Sequence, residues 1–334
     1  MGTDSKKKDA EVDNTPLVSI VISVYNHSKH IEECLCGILM QKVDFPYEVF
    51  VGDDHSPDGT ADVLRRLRPE FPENFHFILR EQNVGAIKNG EDLYSRATGK
   101  YLVDMEGDDF WTYDRKLQTQ VDYLESHPDC SVAYTHCVVV GEDSKPNGET
   151  YPQCPLETYT FKEFLYSRLP GQSGTLVCRR QQYLDARTTF MEMKHFSYYP
   201  GDRRNAFLYL VAGEVHVFQD EWTAYRHVVK KGATNYTSVV KFNDEYARNE
   251  VGYGQTLVEY AELYGSPEAI KTAKKTYYRV FLKWALDKRS SVQMSDFWAA
   301  LKKEPKGKVG LFLSYAQWCV VLEARKLSGK AVDL

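Results

Sequence analysis

Seven residues, Val18 to Val24, read Val-Ser-Ile-Val-Ile-Ser-Val. A run so rich in β-branched side chains, with little polar alternation, fits a strand covered on both faces, as inside a parallel sheet. Tyr25-Asn26-His27-Ser28 ends it, and Ser28 is placed to cap a helix over about Lys29 to Gln41. The alternation then repeats. Tyr47 to Val51 reads as a second strand, Ala61 to Leu67 as a helix, and Phe75 to Leu79 as a third strand. Asn83-Val84-Gly85 opens a helix to about Ala97, which Gly99 closes, and Tyr101 begins a fourth strand. Four strand–helix alternations imply an α/β fold with a doubly wound parallel sheet. Such sheets bind ligands at the carboxyl ends of their strands.

Two acidic loops fall at those ends. One is Gly52-Asp53-Asp54-His55-Ser56-Pro57-Asp58-Gly59-Thr60, rich in turn residues. The other places Asp104, Glu106, Asp108 and Asp109 within six positions, around Gly107, which lets the backbone turn tightly. Carboxylates this crowded repel one another unless a cation lies among them. With no Cys or His beside them, the expected ion is Mg²⁺ or Mn²⁺ rather than zinc. A solvated acidic turn is the competing reading, and the position of both loops at the ligand end of the sheet weighs against it.

The chain of 334 residues is 43% hydrophobic and 13% aromatic, so it can fill a substantial core. Its net charge of -5 argues against a general nucleic-acid binder. Seven scattered cysteines without a Cys-x-x-Cys pair suggest reduced thiols and a cytoplasmic compartment. No stretch of about 18 apolar residues is present, so no membrane span is expected. No Gly-x-Gly-x-x-Gly follows the first strand, which counts against a dinucleotide enzyme. A phospho-acceptor domain, suggested by Asp53-Asp54, would need neither the Glu106 cluster nor a second half.

That second half is less regular. Helices are expected over Arg115 to His127, Phe161 to Arg168 and Gly201 to Val211. Strands are expected over Val132 to Val140, Gly174 to Cys178, Val215 to Phe218 and Glu221 to Val229. From Val240 the chain reads as mostly helical, with a basic patch over Lys271 to Lys275. Val309 to Leu322, with basic flanks, could form a peripheral helix at the inner face of the cell membrane. Packing of that helix on the rest of the chain is the favoured reading.

At motif level the chain resembles family 2 glycosyltransferases. The resemblance rests on Ser19 to Asn26, on Val51 to Thr60, and on Asn83-Val84-Gly85 with Asn89. It continues through Ala97-Thr98-Gly99-Lys100-Tyr101-Leu102, Glu106-Gly-Asp-Asp-Phe-Trp111, Lys116 to Leu124 and His127-Pro-Asp129. Glu106 marks a subgroup with Glu at the first acid of the family's D-x-D region. The resemblance implies a GT-A-type doubly wound, mostly parallel sheet flanked by helices, with a helical C-terminal extension. The expected divisions are a disordered 1–15, a catalytic domain over 16–235 and a helical region over 236–334. Within the domain, 16–111 would form the nucleotide-binding half and 112–235 the acceptor half.

The implied activity is a metal-dependent inverting transfer of sugar from a nucleotide sugar, expected to be a UDP-sugar. The acceptor would be a hydroxyl on a glycan or lipid-linked chain in cell-surface polysaccharide synthesis. A sugar-nucleotide-binding module without catalysis is the alternative, and a homo-oligomer is compatible with either. Tyr25, Asn26, Asp54, Asn83, Glu106, Asp108 and Arg226 are the expected nucleotide-binding residues. Asp108, Asp109 and His227 are the expected ligands of Mn²⁺ or Mg²⁺. Asp202, at a helix start, is the expected general base, because a carboxylate there can take the acceptor proton. Arg203 stands where related sequences often carry an aromatic residue. Arg226 suits phosphate through its fixed guanidinium fork. Trp111 is expected to be structural, and Gly171 to Thr175 to lie on the acceptor side.

Overall fold

The computed structural model describes residues 15–196, 201–228, 243–304, 310, 313–317 and 319–320. Residues 1–14 of the N-terminal segment, Tyr199-Pro200, Val229 and six of the fourteen residues over 309–322 therefore lie outside the described residues. The first half runs β1 (Val18–Val24), α1 (Ile31–Leu39), β2 (Tyr47–Asp53), α2 (Thr60–Leu67), β3 (Phe75–Leu79), α3 (Ala86–Arg96) and β4 (Tyr101–Glu106). The second runs β5 (Phe110–Trp111), α4 (Lys116–Ser126), β6 (Cys130–Val140), β7 (Thr158–Tyr159), α5 (Phe161–Leu165), β8 (Val177–Arg179), α6 (Arg180–Met191), α7 (Gly201–Ala212) and β9 (Glu214–Arg226). Helices α8 (Asp244–Tyr264), α9 (Pro267–Leu286) and α10 (Met294–Lys302) follow.

One sheet carries the strands in the order β3-β2-β1-β4-β8-β6-β9-β5, with β7 beside β9. Its first four strands are parallel, and the short β8 then joins them antiparallel to the second half. The β-branched run of β1 explains its central place. Val18, Ile20 and Ile22 face one core, with α1, α2 and α4, while Val21 faces the other. This is the two-faced cover expected of a continuous apolar strand.

The two strands expected over 215–218 and 221–229 are, within the described residues, one strand, β9. The polar residues Gln219 and Asp220 bulge out between Phe218, opposite Thr135, and Glu221, opposite His136. A bulge keeps the ladder continuous while the polarity pattern breaks. The predicted helix cap also differs. Ser28 leaves α1 uncapped and instead donates its backbone N–H to Asp58 Oδ2 at 3.0 Å. Helices α8 and α9 are not a separate layer. Tyr253, Leu257, Tyr260 and Ala273 share a core with Phe190, Phe207 and the sheet residue Val217. All seven cysteines are free thiols, and no helix among the described residues is long and apolar enough to cross a membrane.

Candidate active site

Three loops meet at the carboxyl ends of β1, β2 and β4. The loop after β1 is stitched to the loop after β2 by backbone amides. Asn26 N–H donates to Ser56 Oγ at 2.9 Å, and His27 N–H to Thr60 Oγ1 at 3.1 Å. Asn26 holds the left-handed conformation, φ 63°, that this crossing requires. Asp53 supports the second loop by accepting Ser56 Oγ at 2.5 Å. Tyr25, 39% exposed, presents its ring beside these loops.

Asp54 is buried, and its carboxylate accepts the backbone N–H groups of Val84 at 2.7 Å and Gly85 at 2.9 Å. Asn83 Nδ2 returns a bond to the Asp54 carbonyl at 3.0 Å. The expected base-reading carboxylate is therefore a clasp between two loops, with Asn83 as its other half.

The acid stretch divides by orientation. Glu106 ends β4 at the mouth of the cleft, where water reaches it. Asp108 is partly exposed, and its Oδ1 lies 3.8 Å from His27 Nε2. Asp109 turns inward and is 1% exposed. Its Oδ1 accepts the Arg226 N–H at 2.8 Å, and its Oδ2 accepts Gln172 Nε2 at 2.7 Å. Both Asp109 oxygens thus hold the scaffold in this structure.

Gln172 itself went unnoticed in the sequence. It lies in the small-residue tract Gly171 to Thr175, whose compactness was the available signal. Its Oε1 accepts the Gly174 N–H at 2.6 Å, and the Gly174 carbonyl accepts Trp111 Nε1 at 2.9 Å. Trp111 is thus a buried anchor, as expected. Gly107 is required for space rather than for turning freedom. A Cβ there would stand 2.9 Å from Ile31 Cδ1 and 3.0 Å from His27 Nδ1.

Arg226 is built into the same scaffold. Its guanidinium is buried and bonded to Asp108 O at 2.9 Å, Gly141 O at 2.6 Å, Glu33 Oε2 at 2.8 Å and Ser144 Oγ at 3.0 Å. It fixes the Asp108 backbone. The neighbouring His227 is buried, with Nδ1 2.5 Å from Glu149 Oε2 and Nε2 without a hydrogen-bond partner among the described residues. A carboxylate on Nδ1 fixes the tautomer that leaves a lone pair on Nε2.

Asp202 lies at the amino end of α7, and Tyr151 OH donates to its Oδ2 at 3.3 Å. Burial pushes its carboxyl up to about 6; Tyr151 and Arg204 oppose the shift and Asp104 adds to it. Desolvation among the neighbouring acids, then the charges of Asp108, Asp202 and Asp104, raise the Glu106 carboxyl above its ordinary range. Asp104, held by Tyr94 OH at 2.5 Å, completes the set. Asp202, far away in sequence, is thus close enough to Glu106 for their charges to interact.

The family model for glycosyl transferase family 2 matches residues 19–187. The chain belongs to glycosyl transferase family 2. An uncharacterized protein of Mycobacterium tuberculosis (Rv1520) is 36% identical over 168 residues, 50% of this chain and 48% of that one. The putative teichuronic acid biosynthesis glycosyltransferase TuaG of Bacillus subtilis is 28% identical over 166 residues, covering 50% of this chain and 64% of that one. The matched part spans about half the length of the first of these relatives. The structure of S. aureus TarS residues 1–349, solved in complex with UDP-GlcNAc, superposes with a TM-score of 0.57 at 17% identity. That likeness covers 91% of this chain and 81% of that chain, and it establishes the GT-A fold.

The family 2 match ends before Asp202, Arg226 and His227, so their placement rests on geometry. Arg203, in the position often aromatic in family 2, turns away from Asp202, with its guanidinium 5.1 Å from the Phe164 ring centroid. Among the described residues no three His, Cys, Asp or Glu side chains are gathered so as to hold a metal by themselves. Asp108, free of backbone amides, and His227, with its orphaned Nε2, are donors suited to Mg²⁺ or Mn²⁺. Such ions often take only one or two protein carboxylates and complete their shell with substrate phosphate and water.

Proposed function

We propose that this chain is a metal-dependent inverting glycosyltransferase. It would move a sugar from a UDP-sugar to a hydroxyl of a glycan or lipid-linked acceptor in cell-surface polysaccharide synthesis. The observation that carries this reading is the position of Asp202 at the amino end of α7, held by Tyr151 and near enough to Glu106 for their charges to interact. A carboxylate with its proton affinity raised to about 6 is poised to accept a proton near neutral pH. In this reading Asp202 takes the proton of the attacking hydroxyl while Tyr151 holds its second oxygen in place.

Tyr25 would stack on the base, and the Asn26, Asp54 and Asn83 clasp would shape the pocket around it. Glu106, in the variant Glu-Gly-Asp-Asp-aromatic-Trp form of the family motif, would bind the ribose. Asp108 and His227 would hold the cation, and Asp109 and Arg226 would fix the loop that carries Asp108. A bound Mg²⁺ or Mn²⁺ would neutralise the departing diphosphate. The relatives' names and the UDP-GlcNAc complex of TarS support the donor and pathway classes. A cytoplasmic location, with contact at the inner membrane face, fits such a pathway.

Calorimetric titration with UDP-sugars, with and without Mn²⁺, tests the assignment. Asp108→Ala is expected to lose metal-dependent binding by at least tenfold. Asp202→Asn is expected to bind donor normally and to transfer sugar at least a hundredfold more slowly. Normal transfer by Asp202→Asn would remove the base assignment, and wild-type binding without any transfer would favour a non-catalytic module.

A further inference from the structure

A second concave site lies on the far side of α5, between that helix and α9. The cavity measures about 590 Å³. Four basic side chains line it, Lys162 from α5 and Lys271, Lys275 and Arg279 from α9, against the single carboxylate of Glu268. Lys271, Lys275 and Arg279 recur every fourth residue, so they share one helix face, where like charges repel. Burial and these two neighbours hold the Lys275 ammonium below its ordinary proton affinity.

The pairing pattern argues against an ordinary solvated face. On the same helix, Lys274 meets Glu304 at 3.1 Å and Glu262 at 3.4 Å, and Lys283 meets Glu250 at 2.7 Å. Lys162, Lys271 and Lys275 have no acidic partner among the described residues. Arg279 is 5% exposed and is fixed as a wall by bonds to Ser314 Oγ at 2.8 Å and Leu165 O at 2.5 Å. The helix thus neutralises its outward lysines and leaves those facing the cavity uncompensated.

We infer that this cavity is a binding site for a phosphate-ester sugar or polyol. Lysine and arginine donors supply the phosphate contacts. Phe161, Leu165 and Tyr166 supply an apolar wall suited to a sugar or polyol body. The volume exceeds that of a bare phosphate. The site is separate from the donor cleft, so it can stand or fall without the proposed transfer activity. Its floor is nevertheless joined to the acceptor half, because Arg203, next to Asp202, rests on Phe164 of α5.

The test is calorimetry on the full chain with inorganic phosphate, glucose 6-phosphate and glucose, and flotation with phosphatidylglycerol vesicles. Glucose 6-phosphate is expected to bind more tightly than phosphate, and glucose is expected not to bind. The pair Lys271→Gln with Lys275→Gln should weaken glucose 6-phosphate at least tenfold and leave UDP affinity within twofold. Lys274→Gln, on the same helix outside the cavity, should leave both unchanged. Thermal melting gives a second readout. Without ligand the double variant should melt at or above the wild type, as repulsion is relieved, and the rise produced by glucose 6-phosphate should vanish. Equal binding by wild type and double variant, no binding of the soluble ester, or binding confined to vesicles would each overturn the inference.

Discussion

Asp202 holds a negative charge where the fold disfavours one. Its carboxyl is raised from 3.8 to about 6, chiefly by burial. A carboxylate whose native proton affinity exceeds its unfolded one destabilises the native state above its native pKa. That cost fades as pH falls toward the unfolded value. Asp202→Asn is therefore expected to stabilise the protein at pH 8 by roughly 1–3 kcal/mol, with the gain shrinking toward pH 5. Urea unfolding of both forms at the two pH values measures it. The same group predicts an acid limb in kcat/KM near pH 6, absent from any residual activity of the Asn form. A stabilised but inactive variant would mark a functional charge maintained against folding, whereas loss of both properties would mark a structural one.

At the scale of elements, the acid loop depends on a short turn far away in sequence. Gln172 links Asp109 to Gly174, and Gly174 accepts from Trp111. Gln172→Ala leaves a buried carboxylate oxygen without its donor, at an expected cost of about 1–3 kcal/mol. It should also weaken donor binding severalfold without touching donor, measurable by thermal melting beside UDP titration. This dependence explains what the sequence could and could not disclose. Val18 to Val24 was legible to the residue because a continuous apolar run has one stable use in a buried sheet, whereas the partly buried edge strand Phe75 to Leu79 was legible from its aromatic and branched side chains. Asp108 and Asp202 stand out in the sequence because carboxylates at strand and helix ends have few roles, and the chemistry proposed for them starts from that position. Asp54, Asp109 and Arg226 were found as polar residues at the right place, yet their orientation was not readable. Whether a carboxylate faces the cleft or a backbone amide is decided by the loop opposite, such as Val84-Gly85 for Asp54. β9 was split for a related reason, since its bulge follows from pairing with β6 and not from its own pattern.

At the scale of the molecule, the helices after residue 243 close the same core that supports Asp202. Tyr253, Leu257, Tyr260 and Ala261 sit in one cluster with Phe207, Leu208 and Tyr209 of α7. Removing α8 and α9 would strip the partners from that side of α7 and expose its aromatic residues. The catalytic boundary expected near residue 235 is thus a boundary of motifs, and we expect it not to be a boundary of folding. Leu257 is fully buried, and Leu257→Ala should cost about 2–5 kcal/mol. If the core is continuous, that loss will lower a single unfolding midpoint, seen alike by tryptophan fluorescence, circular dichroism and UDP binding. A fragment ending at residue 235 should then aggregate or bind UDP weakly. Two separated transitions, with the first insensitive to UDP, would show instead that the helices are an appendage and that α7 is held by the sheet alone.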